Sequence, residues 1–352
     1  MKKIVLAIDS FKGCLTSAEA GHAFALALQD EGIDALPLCV SDGGEGMLDA
    51  FCPALHASRV ETLAHDPLMR PLTAEYGITP DGTAVIESAR VCGLGLVDAG
   101  ERDPLSATSY GLGEIIADAM RRGCRKYIIG LGGSATSDAG KGMLKALEDS
   151  FSDRLPSRPE ILLACDVDNP LCGPRGAARI FAPQKGAGPQ EVEELERRVS
   201  RFAEESAEKL GRDCSGKPGA GAAGGLGYAF MQYFGAEMRS GAELLLDLAG
   251  FERLIAGAGL VITGEGHADA QTLMGKLPLR VLQRASGAGI PVWLVAGRTD
   301  GTQALLDAGF SSVEAITPEG TDTDEALRPD TAKRNIALWV RRNSDRLKSR
   351  TS

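Results

Sequence analysis

The chain has 352 residues, 43% of them apolar and 24% charged, with a formal net charge of −10. That length supports a substantial core and two domains, while the acidic balance excludes a binder of nucleic-acid backbone, which needs concentrated basic surface. Eight scattered cysteines without a C-x-x-C pair fit a reduced, cytoplasmic compartment better than a disulfide framework or a zinc site, and the apolar run before Asp9 is too short for a signal peptide or a membrane span.

Ile4–Ile8 reads as a buried strand that empties into Asp9, Ser10 and Lys12. Thr16 and Glu19 form a capping-box signature for a helix that Gly32 closes. Ala35–Val40 is a second strand, followed by the acidic, glycine-rich Ser41–Gly46 (SDGGEG) and a short helix over Met47–Phe51. From Ser58 to Glu87 the pattern becomes short strands, 59–63, 72–78 and 83–87, with turns at Asp66–Pro67 and Pro80–Gly82; without helices between them they read as antiparallel. A helix over 112–120, a strand over 127–131, a glycine-rich loop over 132–140 and a strand over 161–164 follow. The next segments are Cys165–Pro170, a polar loop holding Lys185, a charged helix over 189–210, a glycine-rich stretch over 211–227 and a helix over 243–256. The strand–loop–helix design then returns, beginning with Leu260–Thr263, which opens into Gly264–Glu265–Gly266, Asp269 and Lys276; strands over 291–296 and 313–317 and a helix over 330–348 complete the chain.

This order predicts an α/β protein: a flavodoxin-like parallel-sheet domain over 1–64 plus 255–352, interrupted by a second α/β domain with a mixed sheet over 65–254. The default site is the cleft between the domains. Acidic groups end several strands: Asp9, Asp42 with Glu45, Asp166 with Asp168, and Glu265 with Asp269. One such carboxylate commonly caps a turn, but four clusters suit Mg²⁺, which takes carboxylates together with phosphate oxygens and water. Lys12, Lys185 and Lys276 either offset phosphoryl charge or keep the surface soluble. The loops at 132–140 (Gly133, Ser134, Thr136) and 219–227 (Gly221, Gly224, Gly225) either seat phosphate on backbone amides or pack tightly against small residues. A P-loop is excluded by Pro218 where a Ser or Thr must reach magnesium, and no G-x-G-x-x-G follows the first strand. The residues alone point to an acidic, glycine-lined cleft that handles phosphate.

The segments Ala7–Lys12 (AIDSFK), Ser41–Gly46, Gly130–Gly140 (GLGGSATSDAG), Ala164–Leu171 (ACDVDNPL), Gly176–Gly186 (GAARIFAPQKG), Pro218–Gly227 (PGAGAAGGLG) and Val261–Lys276 occur in this order along the chain. Together they resemble the bacterial glycerate kinase family that is unrelated to P-loop kinases. The resemblance implies a cytoplasmic two-domain enzyme, monomer or homodimer, that uses ATP and Mg²⁺ to phosphorylate D-glycerate at the 2-hydroxyl. The 3-hydroxyl is the close rival, and a non-catalytic ligand-binding protein the distant one. It implies no membrane or nucleic-acid partner. Asp42 and Asp166 are then the carboxylates that hold the metal and accept the hydroxyl proton, and Lys12 or Lys185 offsets phosphoryl charge. Ser10 or Arg70 holds the glycerate carboxylate, with Glu45, Glu265, Asp269 and Lys276 lining the substrate. Three departures bear on specificity: His267 stands where Arg is usual, Arg90–Cys92 replaces a small-residue run, and the segment between Ala146 and Ile161 is short.

Overall fold

Ile4–Ile8 (β1) is buried at every position, which explains why its sequence shows no alternation: both faces of the strand are covered. The computed structural model describes residues 2–11, 13–41, 43–152 and 159–351. Internal contacts divide the chain into two units, Met1–Asp42 with Ala242–Ser352, and Gly43–Gly241.

In the first unit β1 pairs in parallel with Ala35–Cys39 (β2) on one side. The third to eighth strands in chain order lie in the other unit, so the next strand here is Leu260–Ala268, the ninth, which pairs in parallel with the other side of β1. Val292–Thr299 and Ser312–Ala315, the tenth and eleventh, extend the sheet, again in parallel. Numbered β9, β10 and β11, they give the order β11-β10-β9-β1-β2. Pro37 is tolerated in β2 because that strand is at the edge. Ile4, Leu6, Ile8, Phe24, Leu28, Ile262, Trp293 and Trp339 share one core. Trp339 stands edge-on to both Phe24 and Trp293. It also donates from Nε1 to Glu314 at 2.9 Å, and Arg346 binds the other carboxylate oxygen at 2.7 Å. This ties down the two C-terminal helices, Pro329–Arg342 and Ser344–Thr351. The single helix expected over 330–348 breaks at Asn343, and the one expected over 243–256 breaks at Gly250, whose φ is +63°.

In the second unit Ser58–His65 (β3), Pro71–Ile78 (β4) and Thr83–Glu87 (β5) run antiparallel, as their turns predict. Lys126–Gly130 (β6), Glu160–Ala164 (β7) and Glu237–Arg239 (β8) continue from β5 in parallel. The sheet is therefore mixed, in the order β3-β4-β5-β6-β7-β8. The expected boundaries at 64/65 and 254/255 differ from the contact division, because β3 pairs with β4 along its whole length. The Met47–Ala54 helix also packs on β4 and β5. β8 escaped the sequence reading because three residues carry no pattern.

The expected loop at Gly264–Gly266 is strand. β9 keeps its ladder with β10 as far as Ala268, Glu265 pairing with Ala296. A Cβ at Gly264 would run into the Val295 carbonyl oxygen. Gly264→Ala should therefore lower unfolding stability by about 1–3 kcal/mol, the cost of overpacking a tight interior, read as a lower urea midpoint. An unchanged midpoint would show that the two strands have room to part.

Candidate active site

Parallel sheets gather functional groups at the carboxyl ends of their strands. In the second unit that edge is covered by the Gly43–Gly46 turn. A Cβ on Gly43 would stand 2.7 Å from the Ala164 carbonyl oxygen, and one on Gly132 would stand 2.6 Å from the Gly44 Cα. The turn can lie directly on the ends of β6 and β7 only because these positions are glycine. Glu87, the last residue of β5, holds it there: its carboxylate accepts from Gly46 N at 3.1 Å and Leu48 N at 2.9 Å. Burial pushes the Glu87 carboxyl above its usual pKa, opposed by those amides and by Arg90. Beside the turn, Asp166 follows β7, and both Asp166 and Glu45 are solvent-exposed.

The loop after β6 is held from two sides. Asp138 accepts from Ser109 N (2.9 Å), Ser109 Oγ (2.8 Å), Gly140 N (3.0 Å) and Gly142 N (2.9 Å), joining the loop to the starts of the Tyr110–Arg121 and Lys141–Phe151 helices. From the other side Lys185, only 3% exposed, donates from Nζ to Ser134 Oγ at 3.0 Å and the Thr136 carbonyl at 2.6 Å. Burial pulls the Lys185 ammonium down to about 8, partly opposed by the charge of Asp138 and by Cys92. Gly133 is exposed at the loop's tip, with φ +63°.

The 219–227 stretch takes the packing alternative. Gly221 N donates to Asn169 O at 2.8 Å and Gly225 N to Gly221 O at 3.3 Å. A Cβ on Gly224 would strike the Thr136 carbonyl, and one on Gly225 would lie 2.8 Å from the Ala139 Cα. These glycines let the Ala222–Ala229 helix press against the loop after β6; the Gly221 and Gly225 amides are spent within the protein. Arg70 is committed elsewhere as well. Its guanidinium binds Asp66 at 2.6 Å, Glu101 at 3.0 Å and the Leu96 carbonyl at 2.9 Å, three of its five N–H donors being spent within its own unit.

In the first unit Asp9 and Ser10 follow β1, and Asp9 Oδ1 accepts from Ser10 N at 2.7 Å. Glu265, 6% exposed, accepts from Thr272 Oγ1 at 2.6 Å and Lys276 Nζ at 3.0 Å. Asp269 caps the Ala270–Met274 turn, accepting from Gln271 N at 2.8 Å. His267 faces Asp300 at 2.8 Å on the surface. The expected Lys12 and Asp42 lie outside the described residues. Sequence reasoning passed over Glu87, Asp138 and Thr272. Asp138 had a signal, since it sits inside a long glycine-rich motif, whereas Glu87 and Thr272 looked like ordinary strand-end and turn residues.

Among the described residues no three His, Cys, Asp or Glu side chains cluster as a metal site. Exposed hard-oxygen donors such as Asp166 fit the ion that needs least from protein: Mg²⁺ takes one or two carboxylates and completes its shell with phosphates and water.

The glycerate kinase family model matches residues 4–158 and 149–344. The chain is 38% identical to the glycerate 2-kinase of Escherichia coli K12, over 96% of this chain and 98% of that protein. It is 37% identical to the glycerate kinase of Bacillus subtilis 168, over 92% and 93%. A crystal structure of a protein designated glycerate kinase 2, from Salmonella typhimurium LT2, superposes with a TM-score of 0.82 at 35% identity, covering 99% of this chain and 98% of that one. Asp138→Ala should destabilise the fold by about 2–3 kcal/mol, the scale of lost hydrogen bonds to a charged acceptor, measured by urea unfolding. An effect below 1 kcal/mol, on the same scale, would mean that water replaces all four bonds.

Proposed function

The chain belongs to the glycerate kinase family, and from that premise we propose that it transfers the γ-phosphoryl group of ATP to the 2-hydroxyl of D-glycerate, giving 2-phospho-D-glycerate and ADP. The observation that carries the reading is the seating of the Gly43–Gly46 turn on the ends of β6 and β7, which brings three of the family-like motifs to one edge of the mixed sheet. A phosphoryl-transfer site needs positioning and charge compensation more than covalent chemistry. Here the backbone is positioned by buried side chains that stay out of the reaction.

The Gly133–Ser134 segment, exposed at Gly133 and buried at Ser134, is suited to the nucleotide phosphates, with its shape set by Asp138 and Lys185. Mg²⁺, when bound with ATP, supplies charge neutralisation on the phosphates. Asp42 and Asp166 share the two carboxylate tasks, one holding the metal and the other orienting the 2-hydroxyl and accepting its proton as the oxygen takes the phosphoryl group. Lys12 offsets charge on the transferring group.

The strand order of the first unit is that of flavodoxin-like sheets, whose crevice lies at the switch point, here between β1 and β9. Asp9, Ser10 and Glu265 stand at that point. We assign Ser10 to the glycerate carboxylate, and we assign Glu265 to holding Lys276 and Thr272 in place beside it. No helix among the described residues is long and apolar enough to cross a membrane.

ADP release should depend on both D-glycerate and Mg²⁺, and phosphorus and proton NMR of the product should place the phosphate on C2. A 3-phosphate product would overturn the regiochemistry. ADP release without glycerate would overturn the acceptor. Asp166→Asn should lower kcat at least ~10²-fold, the range for a lost acid–base or metal-holding carboxylate, with an unchanged urea midpoint. Near-normal turnover in that variant would remove Asp166 from the chemistry.

A further inference from the structure

A fully buried lysine without a carboxylate in contact is costly, because the charge has left water and gained only neutral partners. Lys185 is such a residue. It ends the short Pro183–Lys185 turn, its side chain is 3% exposed, and its two bonds go to the Ser134 hydroxyl and the Thr136 carbonyl. The acidic group facing it is Asp138, across the loop, whose carboxylate is already shared among four donors. Cys92 faces it as well. Arg102 packs its backbone and Cβ on the neighbouring Gly186. Thr136 Oγ1, in the middle of the clamped segment, is buried without a hydrogen-bond partner. The loop is therefore strapped down at the hydroxyl of one residue and the carbonyl two residues later, with an unsatisfied hydroxyl between them. The segment is also pinned by Leu94 N on the Gly133 carbonyl and Ala135 N on the Cys92 carbonyl, both at 2.7 Å, so the strap adds to those ties by holding the Ser134 hydroxyl and the Thr136 carbonyl.

We propose that Lys185 is a positioning residue: its buried ammonium clamps Ser134 and Thr136, so that the Gly133–Ser134 segment is shaped for nucleotide phosphates, and it does not itself reach the phosphoryl group. This rests on the reading of that segment as a phosphate seat. Both observed donor directions are spent inside the protein, and the surrounding burial leaves the amine no solvent-facing side. On this proposal Lys185 acts through the loop and not, as the sequence suggested, directly on the charge of the transferring group.

The clamp has a pH signature that a merely structural contact lacks. Burial lowers the Lys185 ammonium from its ordinary value of 10.5 to about 8. Between those values the unfolded chain binds the proton and the folded chain does not, so this group makes folding more favourable as pH rises. Loss of the proton takes away the charge that strengthens both bonds of the clamp, so activity falls as pH rises through about 8. Stability and activity thus move in opposite directions.

The test compares wild type, Lys185→Met, Ser134→Ala and the double variant from pH 6.5 to 10, using Mg-ATP and D-glycerate turnover, calorimetric ADP binding and urea unfolding. Wild type should lose kcat along an alkaline limb that Lys185→Met lacks, the latter being about 10²-fold slower at pH 7, the scale of a small misplacement of reacting groups. Ser134→Ala, which keeps the lysine but removes one acceptor, should move the limb to lower pH and raise the ADP dissociation constant. The double variant should be no slower than Lys185→Met. Stability of wild type relative to Lys185→Met should rise between pH 8 and 10. If Lys185→Met fails to fold, the Ser134→Ala limb decides. A limb that stays in place in Ser134→Ala, or multiplicative losses in the double variant, would mean that Lys185 acts independently of the loop and would overturn the proposal. Absence of glycerate-dependent ADP release from wild type would instead overturn the kinase reading. In that case, NMR of ε-carbon-labelled lysine still tests the clamp: the Ser134 and Thr136 amide signals must titrate together with Lys185.

Discussion

Backbone lying directly on backbone is the constraint from which the site of the mixed-sheet unit is built. The Gly43–Gly44 turn, the end of β6 at Gly130 and Gly132, and the end of β7 at Ala164 approach so closely that a single Cβ on either Gly43 or Gly132 would not fit. Close-packed interiors transmit such restrictions with little relaxation. Glycine here is thus a condition for two strand ends and a turn to share one edge. A similar approach recurs where Gly224 and Gly225 meet the 136–139 segment.

Once the backbone is packed this tightly, the charged groups divide into two kinds. Glu87, Asp138, Lys185 and Glu265 are wholly or largely withdrawn from water and spend their capacity on named amides, hydroxyls or an ammonium. Their work is to fix loop shape, since a buried polar group without its partner is expensive. Asp166 and Glu45 stand exposed next to those fixed loops. An exposed carboxylate on a rigid support is the arrangement that phosphoryl transfer calls for, because little reorganisation is left for the reacting step.

Much of this was legible beforehand, and most of what was missed depends on contacts distant in sequence. The strands of the first sheet are continuous apolar runs, and the β3–β5 hairpins carry Pro and Gly turn chemistry, so both patterns are local and survive without tertiary knowledge. The ties of Arg70 to Glu101 and Leu96 were not legible, because those partners lie 31 and 26 residues away. Asp269 proved to be a helix cap, the ordinary use of that residue. Gly264–Gly266 looked like a loop because its residues suit one, yet the ladder with β10 continues through it. At Arg70 and at Gly264–Gly266 a contact distant in sequence is what the local residues could not show, whereas the Asp269 cap reaches only Gln271, two residues on.

The amino-acid sequence by itself determined the class of fold, the alternation of strands with helices, the segments that carry the family likeness and the carboxylates at strand ends. All of these depend on residue type and short-range spacing. Only the tertiary structure decided which charged groups are buried ties and which lie exposed beside them. Desolvation and hydrogen bonding act between residues such as Lys185 and Ser134, 51 positions apart, and chain order contains no measure of that distance.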